Sequence, residues 1–262
     1  MKKALNFMQL LYIIFMSLLL GPLNSLRAQD ITTYQYRHVD PSNANEFVKR
    51  ETTYWSKVAR KAIDSGKMSF WALLEKVGGT DLTSGPNFLF INSWPDLNAD
   101  LSHVFDPSKL FPGVPMSKMS TDGISKVTDE IFVVNDGWQE IAKVNPDKDY
   151  QYVLFNYHNS SNPSEFNRLE KAHWGPFIKA AMDNKQVDQK AWGNSIVLIP
   201  TGGSMPFNCL SVDLYSNIKS ALMPNWSSNL NFPNAGLDSL QKISLAPPVR
   251  FLYRIVKVEA RK

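Results

Sequence analysis

Two ten-residue stretches decide how this chain is read: EFVKRETTYW, from Glu46 to Trp55, and EFNRLEKAHW, from Glu165 to Trp174. Both spell E-F-x-x-x-E-x-x-x-W, and they lie 119 residues apart. The match extends outward. Ala62-Ile63-Asp64 meets Ala181-Met182-Asp183 at the same spacing, Trp71 meets Trp192 and Trp94 meets Tyr215 at 121, and Gly78-Gly79-Thr80 meets Gly202-Gly203-Ser204 at 124. Near the ends, Gln139–Val144 resembles Arg254–Val258. Matches that keep their order, with spacing that drifts only between elements, are the mark of an internal duplication with loop insertions.

Each copy reads as the same string of elements. Thr33–Val39 and Tyr152–His158 are rich in aromatic and β-branched residues and read as first strands. Asn43 and Asn162, each with a Glu three residues on, predict helix starts that run to about Ser65 and Asn184. Glu46 and Glu165 then serve as caps. Ser69–Val77 and Ala191–Pro200 predict second strands, and the Gly-Gly turns lead to third strands at Asn87–Trp94 and Phe207–Tyr215. Leu97–Phe105 and Ile218–Leu222 predict short helices, and Trp138–Val144 and Val249–Val258 predict last strands. The order β-α-β-β-α-β is the ferredoxin-like plan. The expected class is therefore α+β: two tandem ferredoxin-like units, residues 29–145 and 146–262, forming an intramolecular pseudo-dimeric α/β barrel.

On this pattern the chain resembles the dimeric α/β-barrel superfamily, and within it the fused two-copy NIPSNAP-type proteins. The resemblance covers residues 29–262 at the level of topology. It implies a pocket between the sheet and the helices of each unit. Related families include cofactor-free monooxygenases, lactone isomerases and haem-degrading enzymes, so the fold alone implies no one reaction.

The first 28 residues read as a signal peptide. Lys2 and Lys3 precede the apolar run Leu10–Leu20, Gly21-Pro22 breaks any helix, and Ala28-Gln29 offers a cut site. The run is too short for a bilayer core that needs about 20 apolar residues. An exported protein, periplasmic or secreted, is expected, with no membrane association after cleavage. The net charge of +4 includes Lys2, Lys3 and Arg27, so the remainder carries +1. That balance gives no electrostatic reason to bind nucleic acid. Cys209 is the single cysteine, so no internal disulfide forms, and its place in FNCLSVDLY predicts a buried thiol.

The chemistry-bearing candidates lie on the first helix of each copy. On a wheel of about 100° per residue, Glu51 falls inside the apolar stripe with Phe47, Tyr54, Val58, Ala62 and Trp55. Glu170 falls likewise among Phe166, Trp174, Phe177 and Ala181, with His173 about 60° away on the same stripe. A carboxyl facing a sheet is paired or lines a wet cavity. Glu170 and His173 are the candidate catalytic base and orienter. Glu51, Tyr54, Trp55, Trp174, Phe177, His38 and Tyr157 are the candidate ligand-binding residues. At the spacing of 119, His38 pairs with Tyr157, so His38 and His158 would face opposite sides of the sheet. His103 stands alone, and no zinc-type spacing occurs.

Two readings are open. One is an exported protein that binds a small apolar or aromatic molecule. The other is a cofactor-independent enzyme, monooxygenase- or isomerase-like, built on the inward Glu/His pair. No cofactor is expected, with a haem held by one His as the alternative.

Overall fold

The computed structural model describes residues 30–78, 84–97, 104–202 and 205–261. The signal-peptide reading of residues 1–28 lies outside these, as do His103 and most of both Gly-Gly turns. Eight strands form a closed antiparallel barrel in the order β1-β3-β2-β8-β5-β7-β6-β4. They are β1 (Ile31–Val39), β2 (Phe70–Gly78), β3 (Phe88–Trp94), β4 (Ser125–Glu140), β5 (Tyr152–His158), β6 (Ala191–Ile199), β7 (Cys209–Tyr215) and β8 (Val249–Ala260). Within the first half the order is β4-β1-β3-β2, and within the second it is the same, β8-β5-β7-β6. The halves join where β2 pairs with β8 and β4 with β6, which leaves no free sheet edge.

Seven of the eight strands lie where the sequence pattern places them, within two residues at their outer ends. β4 does not: it begins thirteen residues before the expected Trp138 and ends before Ile141. Its exposed run Lys126–Glu130 hides the alternation that marks the other strands. The first-strand register is also corrected. Asn87 receives Val39 N–H at 2.9 Å and donates to Val39 C=O at 2.8 Å, and Asn208 does both for Ser160 at 2.9 and 2.7 Å. These twin clamps set β1 and β5 at a spacing of 121, so Tyr36, not His38, corresponds to Tyr157. The loop into the first helix is two residues longer in the first half, which shifts the helices back to 119.

The barrel lumen holds the inward side chains of all eight strands, among them Tyr34, Leu74, Leu89, Val133, Phe155, Leu210 and Tyr253. Tyr36 and Tyr157 meet there, hydroxyl to hydroxyl, at 3.0 Å. The outer face is covered by helices. In the first half α1 (Ala44–Arg50) and α2 (Ser56–Asp64) flank a single π-helical turn, Glu51–Trp55. After the short α3 (Met116–Met119) and α4 (Pro146–Asp149), the second half repeats the arrangement. There α5 (Pro163–Leu169) and α6 (Gly175–Asp183) flank the π turn Glu170–Trp174. Two further helices come after β7, α7 (Ile218–Leu222) and α8 (Asn234–Ile243). The sequence pattern gives α7 but not α8.

Capping agrees with the sequence pattern in one copy only. Asn162 accepts from Glu165 N–H at 3.1 Å, with Pro163 at the first helical position. Asn43 makes no side-chain cap; Asp40 caps a 3-10 turn at Pro41–Asn43 instead. Glu46 and Glu165 pair with Arg50 and Arg168 rather than closing a capping box.

Candidate functional site

Each π turn begins on a glutamate. Ser56 N–H reaches back to Glu51 C=O, and Gly175 N–H to Glu170 C=O, five residues in both cases. A π turn in effect inserts one residue and rotates the rest of the helix by about 100°. The buried positions beyond it are accordingly Ala59, Ala62 and Ile63 in one copy and Ile178, Ala181 and Met182 in the other. The small residues Ser56 and Gly175 sit behind the turns. A Cβ at Gly175 would come within 3.2 Å of the Trp192 ring.

This rotation corrects the inward Glu170/His173 pair. Glu170 is buried, but His173 is exposed and lies against Gly236 of α8, outside the cavity. Phe177 is carried outward into an aromatic cluster with Trp174, Trp226 and Phe232. Tyr54 turns to Phe111, with ring centroids 5.1 Å apart and the planes perpendicular. Trp55 donates through Nε1 to Met119 C=O at 2.9 Å. Tyr157 lies in the lumen, and His38, on the lumen side by strand alternation, bonds through Nδ1 to Gly85 C=O at 2.8 Å. Of the residues singled out from sequence, Glu170 and Trp174 line the principal outer cavity. His158 does too, on the helix side opposite to His38.

That cavity, about 610 Å³, lies between the outward face of β5, β7 and β8 and the cover formed by α5, its π turn and α8. Its polar wall comes from alternate strand positions: Asn156 and His158 on β5, Ser211 and Asp213 on β7, and Arg250 on β8. Phe166, Trp174, Leu237 and Leu240 supply the apolar wall. The loop after α8 closes one side. It is tied down where Leu245 N–H donates to Asn159 C=O at 2.8 Å and Ser160 Oγ donates to Ile243 C=O at 3.0 Å.

The titratable groups of this cavity are pushed in different directions. Burial raises Glu170 to about 8; hydrogen bonds from Asn194 (Nδ2, 3.2 Å) and Ser211 oppose the rise, and the neighbouring Asp213 charge adds to it. Burial raises Asp213 to about 6, against hydrogen bonds from Asn156 (2.8 Å) and Gln189 (2.7 Å) and the attraction of Arg250. His158 falls to about 4, through burial first and the Arg250 charge second. These shifts favour a protonated Glu170 over a protonated Asp213 and a neutral over a charged His158. The Ser211 hydroxyl touches both Glu170 and His158, the latter through Nε2 at 3.3 Å, and so links them in one hydrogen-bonded chain. Cys209 is buried and its thiol is pushed well up by burial.

Behind Glu170 lies a buried polar cluster. Asn167 and Asn194 are both nearly inaccessible, and the Asn167 amide, Asn194 Oδ1 and Trp192 Nε1 lack hydrogen-bond partners. Unpaired buried atoms of this kind cost stability, while Asn194 Nδ2 holds the carboxyl. Asp213, Ser211, Asn156 and Arg250 are not singled out by the sequence pattern. Comparing copies at the strand spacing of 121 exposes them, because Ser211 and Asp213 then stand opposite Phe90 and Asn92.

No protein-family model matches the chain and no curated protein matches it in sequence. Solved structures do match in fold. A protein provisionally assigned as a monooxygenase from Lactobacillus acidophilus superposes with a TM-score of 0.56 at 8% identity, covering 88% of this chain and 96% of its own. An anthrone oxidase-like protein gives 0.53 at 11%, over 88% and 93%. A second provisional monooxygenase, from Fusobacterium nucleatum, gives 0.52 at 12%, over 88% and 94%. At these identities the likeness is one of fold: the chain is an antiparallel eight-strand barrel covered by helices.

Proposed function

We propose that the second-half cavity is an acid–base site acting on a small, largely apolar organic molecule without a cofactor. The observation that carries this reading is that Glu170, Asp213 and His158 line one cavity, where burial pushes both carboxyls up, Glu170 further than Asp213, and the imidazole down. Two carboxyls whose surroundings drive them apart are the usual means of placing an acid and a base side by side at neutral pH. Asp213 is the base that takes a proton from a carbon next to a carbonyl. Protonated Glu170 is the hydrogen-bond donor to the oxyanion that forms, with Arg250 adding positive potential. Ser211, which bridges Glu170 and His158, orients the Glu170 carboxyl.

The likeness to an anthrone oxidase-like protein supplies a probe substrate. Anthrone loses a proton to Asp213, its carbanion adds molecular oxygen, the resulting peroxide anion takes that proton back to give a hydroperoxide, and loss of water gives anthraquinone. Oxygen uptake with anthrone should exceed the buffer rate for the full chain and fall at least tenfold in Ser211→Phe and Glu170→Gln. No excess in the unaltered protein, or an undiminished rate in Ser211→Phe, would remove the reading.

A haem is the second reading, favoured by a neutral imidazole, His158, on the cavity wall. Its Nε2 already contacts Ser211, so ligating iron through that atom requires the contact to break, and the organic molecule comes first. A Soret shift on adding hemin, lost in His158→Ala, would reverse that order.

The wider reading keeps the duplication. The repeated strand order and the twin Asn clamps support two ferredoxin-like units, 29–145 and 146–262, fused as in NIPSNAP-type proteins. Lys2, Lys3 and the apolar run support export to the periplasm or medium, with no nucleic-acid partner. Intact mass of the protein recovered outside the cytoplasm tests this; a chain still starting at Met1 contradicts it.

A further inference from the structure

An eight-strand barrel is just wide enough for its inward side chains to fill it, or to hold one small molecule. Here it is filled at one end only. Tyr36, Tyr157 and Tyr253, with Phe207 and Phe251 packed against them, plug the end where β1 finishes. Toward the other end lies a second cavity of about 490 Å³, lined by inward residues such as Phe70, Leu74, Ile91, Phe155, Val212 and Ile255. Ile91, Val212 and Ile255 occupy lumenal positions yet are only half-buried, which well-packed core residues would not be.

The mouth of this cavity carries a belt of hydrogen bonds that crosses four strands. Ser93 Oγ meets Thr32 Oγ1 at 2.8 Å, Asn135 Nδ2 donates to Thr32 Oγ1 at 3.0 Å, and Ser195 Oγ donates to Asn135 Oδ1 at 2.8 Å. Tyr34 joins the belt through Ser195. Ser69 Oγ, on the same wall, is buried without a partner. Hydroxyls can turn to donate or accept, so the belt can take either a hydroxyl or a carbonyl. Among the described residues the lining contains no Lys, Arg or His; Asp30 and Asp136 stand at the rim, the latter paired with Lys171 at 2.8 Å. No described lining side chain would compensate an anion.

We infer that the barrel lumen is a second binding site, distinct from the outer cavity, for an uncharged apolar molecule with one hydroxyl or carbonyl end. The apolar body lies against Phe155 and Leu74, and the polar end reaches the Thr32–Asn135–Ser195 belt. The volume falls within the usual range for small-molecule sites.

The test uses N-phenyl-1-naphthylamine, an uncharged fluorophore, with the full chain. Its emission should rise and saturate at one equivalent. 1-Nonanol should displace it at least tenfold better than nonanoate. Val212→Trp, which fills the lumen, should weaken binding at least tenfold, whereas Ser211→Phe, which fills the outer cavity, should leave it unchanged. Should Val212→Trp lose its folded circular dichroism, Ile91→Trp on the facing wall is read in its place. No enhancement, equal displacement by nonanoate, full binding in a folded lumen variant, or loss in Ser211→Phe would each overturn the proposal.

Discussion

Phe90 and Ser211 occupy corresponding places in the two halves of the barrel, and the halves differ around them. In the first half Phe90 and Phe88 pack on Phe47, with centroids 6.1 and 4.8 Å apart, and Arg37 lies over the Phe90 ring at 4.8 Å. Aromatic rings fill the space between sheet and helix. In the second half the corresponding residues are Ser211 and Cys209, and the space is open. The polar groups around it differ in charge as well. Arg37 on β1 corresponds to His158 on β5, and Glu130 on β4 to Arg250 on β8. Both π-turn glutamates are buried, but Glu51 is held by Thr121 at 2.7 Å and rises only to about 7, with Arg37 drawing it down. The space between sheet and helix is thus filled by aromatic rings in the first half and open in the second.

The largest break in this comparison should come from Phe90→Ser. Emptying the packed half should cost about 3–5 kcal/mol, as large-to-small aromatic core substitutions do, measured by urea unfolding. A loss below about 1 kcal/mol would mean that Phe90 is not core.

Glu170 gives the next effect. Its folded-state value, about 8, lies above the ordinary 4.5, so between those limits the folded chain holds a proton that the unfolded chain has released. Stability must then fall as pH rises from about 4.5 through about 8, by a few kcal/mol, and Glu170→Gln should flatten that decline. Glu51→Gln should flatten a smaller decline that ends near pH 7. Thermal melts across pH 4–9 check both; parallel curves for Glu170→Gln and the unaltered protein would refute the first.

Ser211→Phe copies the first half into the second. It should change stability by no more than about 1–2 kcal/mol, since it enters an existing cavity, while removing anthrone turnover. The smallest effect should be His173→Ala. As an exposed residue it should shift stability by about 0.5 kcal/mol or less and leave turnover unchanged.

How far the sequence can be read is clear from particular residues. The repeated strand order and the buried glutamates are legible because alternation and the E-F-x-x-x-E-x-x-x-W pattern occur in both halves. His173 is misplaced by a wheel of constant pitch, which cannot register a π turn; such a turn reveals itself only in backbone hydrogen bonds. Asp213 is hidden inside FNCLSVDLY, where an outward strand position reads as solvent-facing until α8 is known to cover it. That helix shows a weak pattern, since Gly236 and Leu240 are its only fully buried residues. The Tyr36–Tyr157 contact across the barrel is masked by a two-residue loop difference that displaces the strand alignment.

The central claim is that Glu170 keeps its proton at neutral pH beside an ionised Asp213. Titration of the side-chain carboxyl carbons by carbon-13 NMR, assigned through Glu170→Gln and Asp213→Asn, measures this without any substrate. The expected midpoints are near 8 for Glu170 and near 6 for Asp213. A Glu170 midpoint in the ordinary range of about 4 to 5 would contradict the claim.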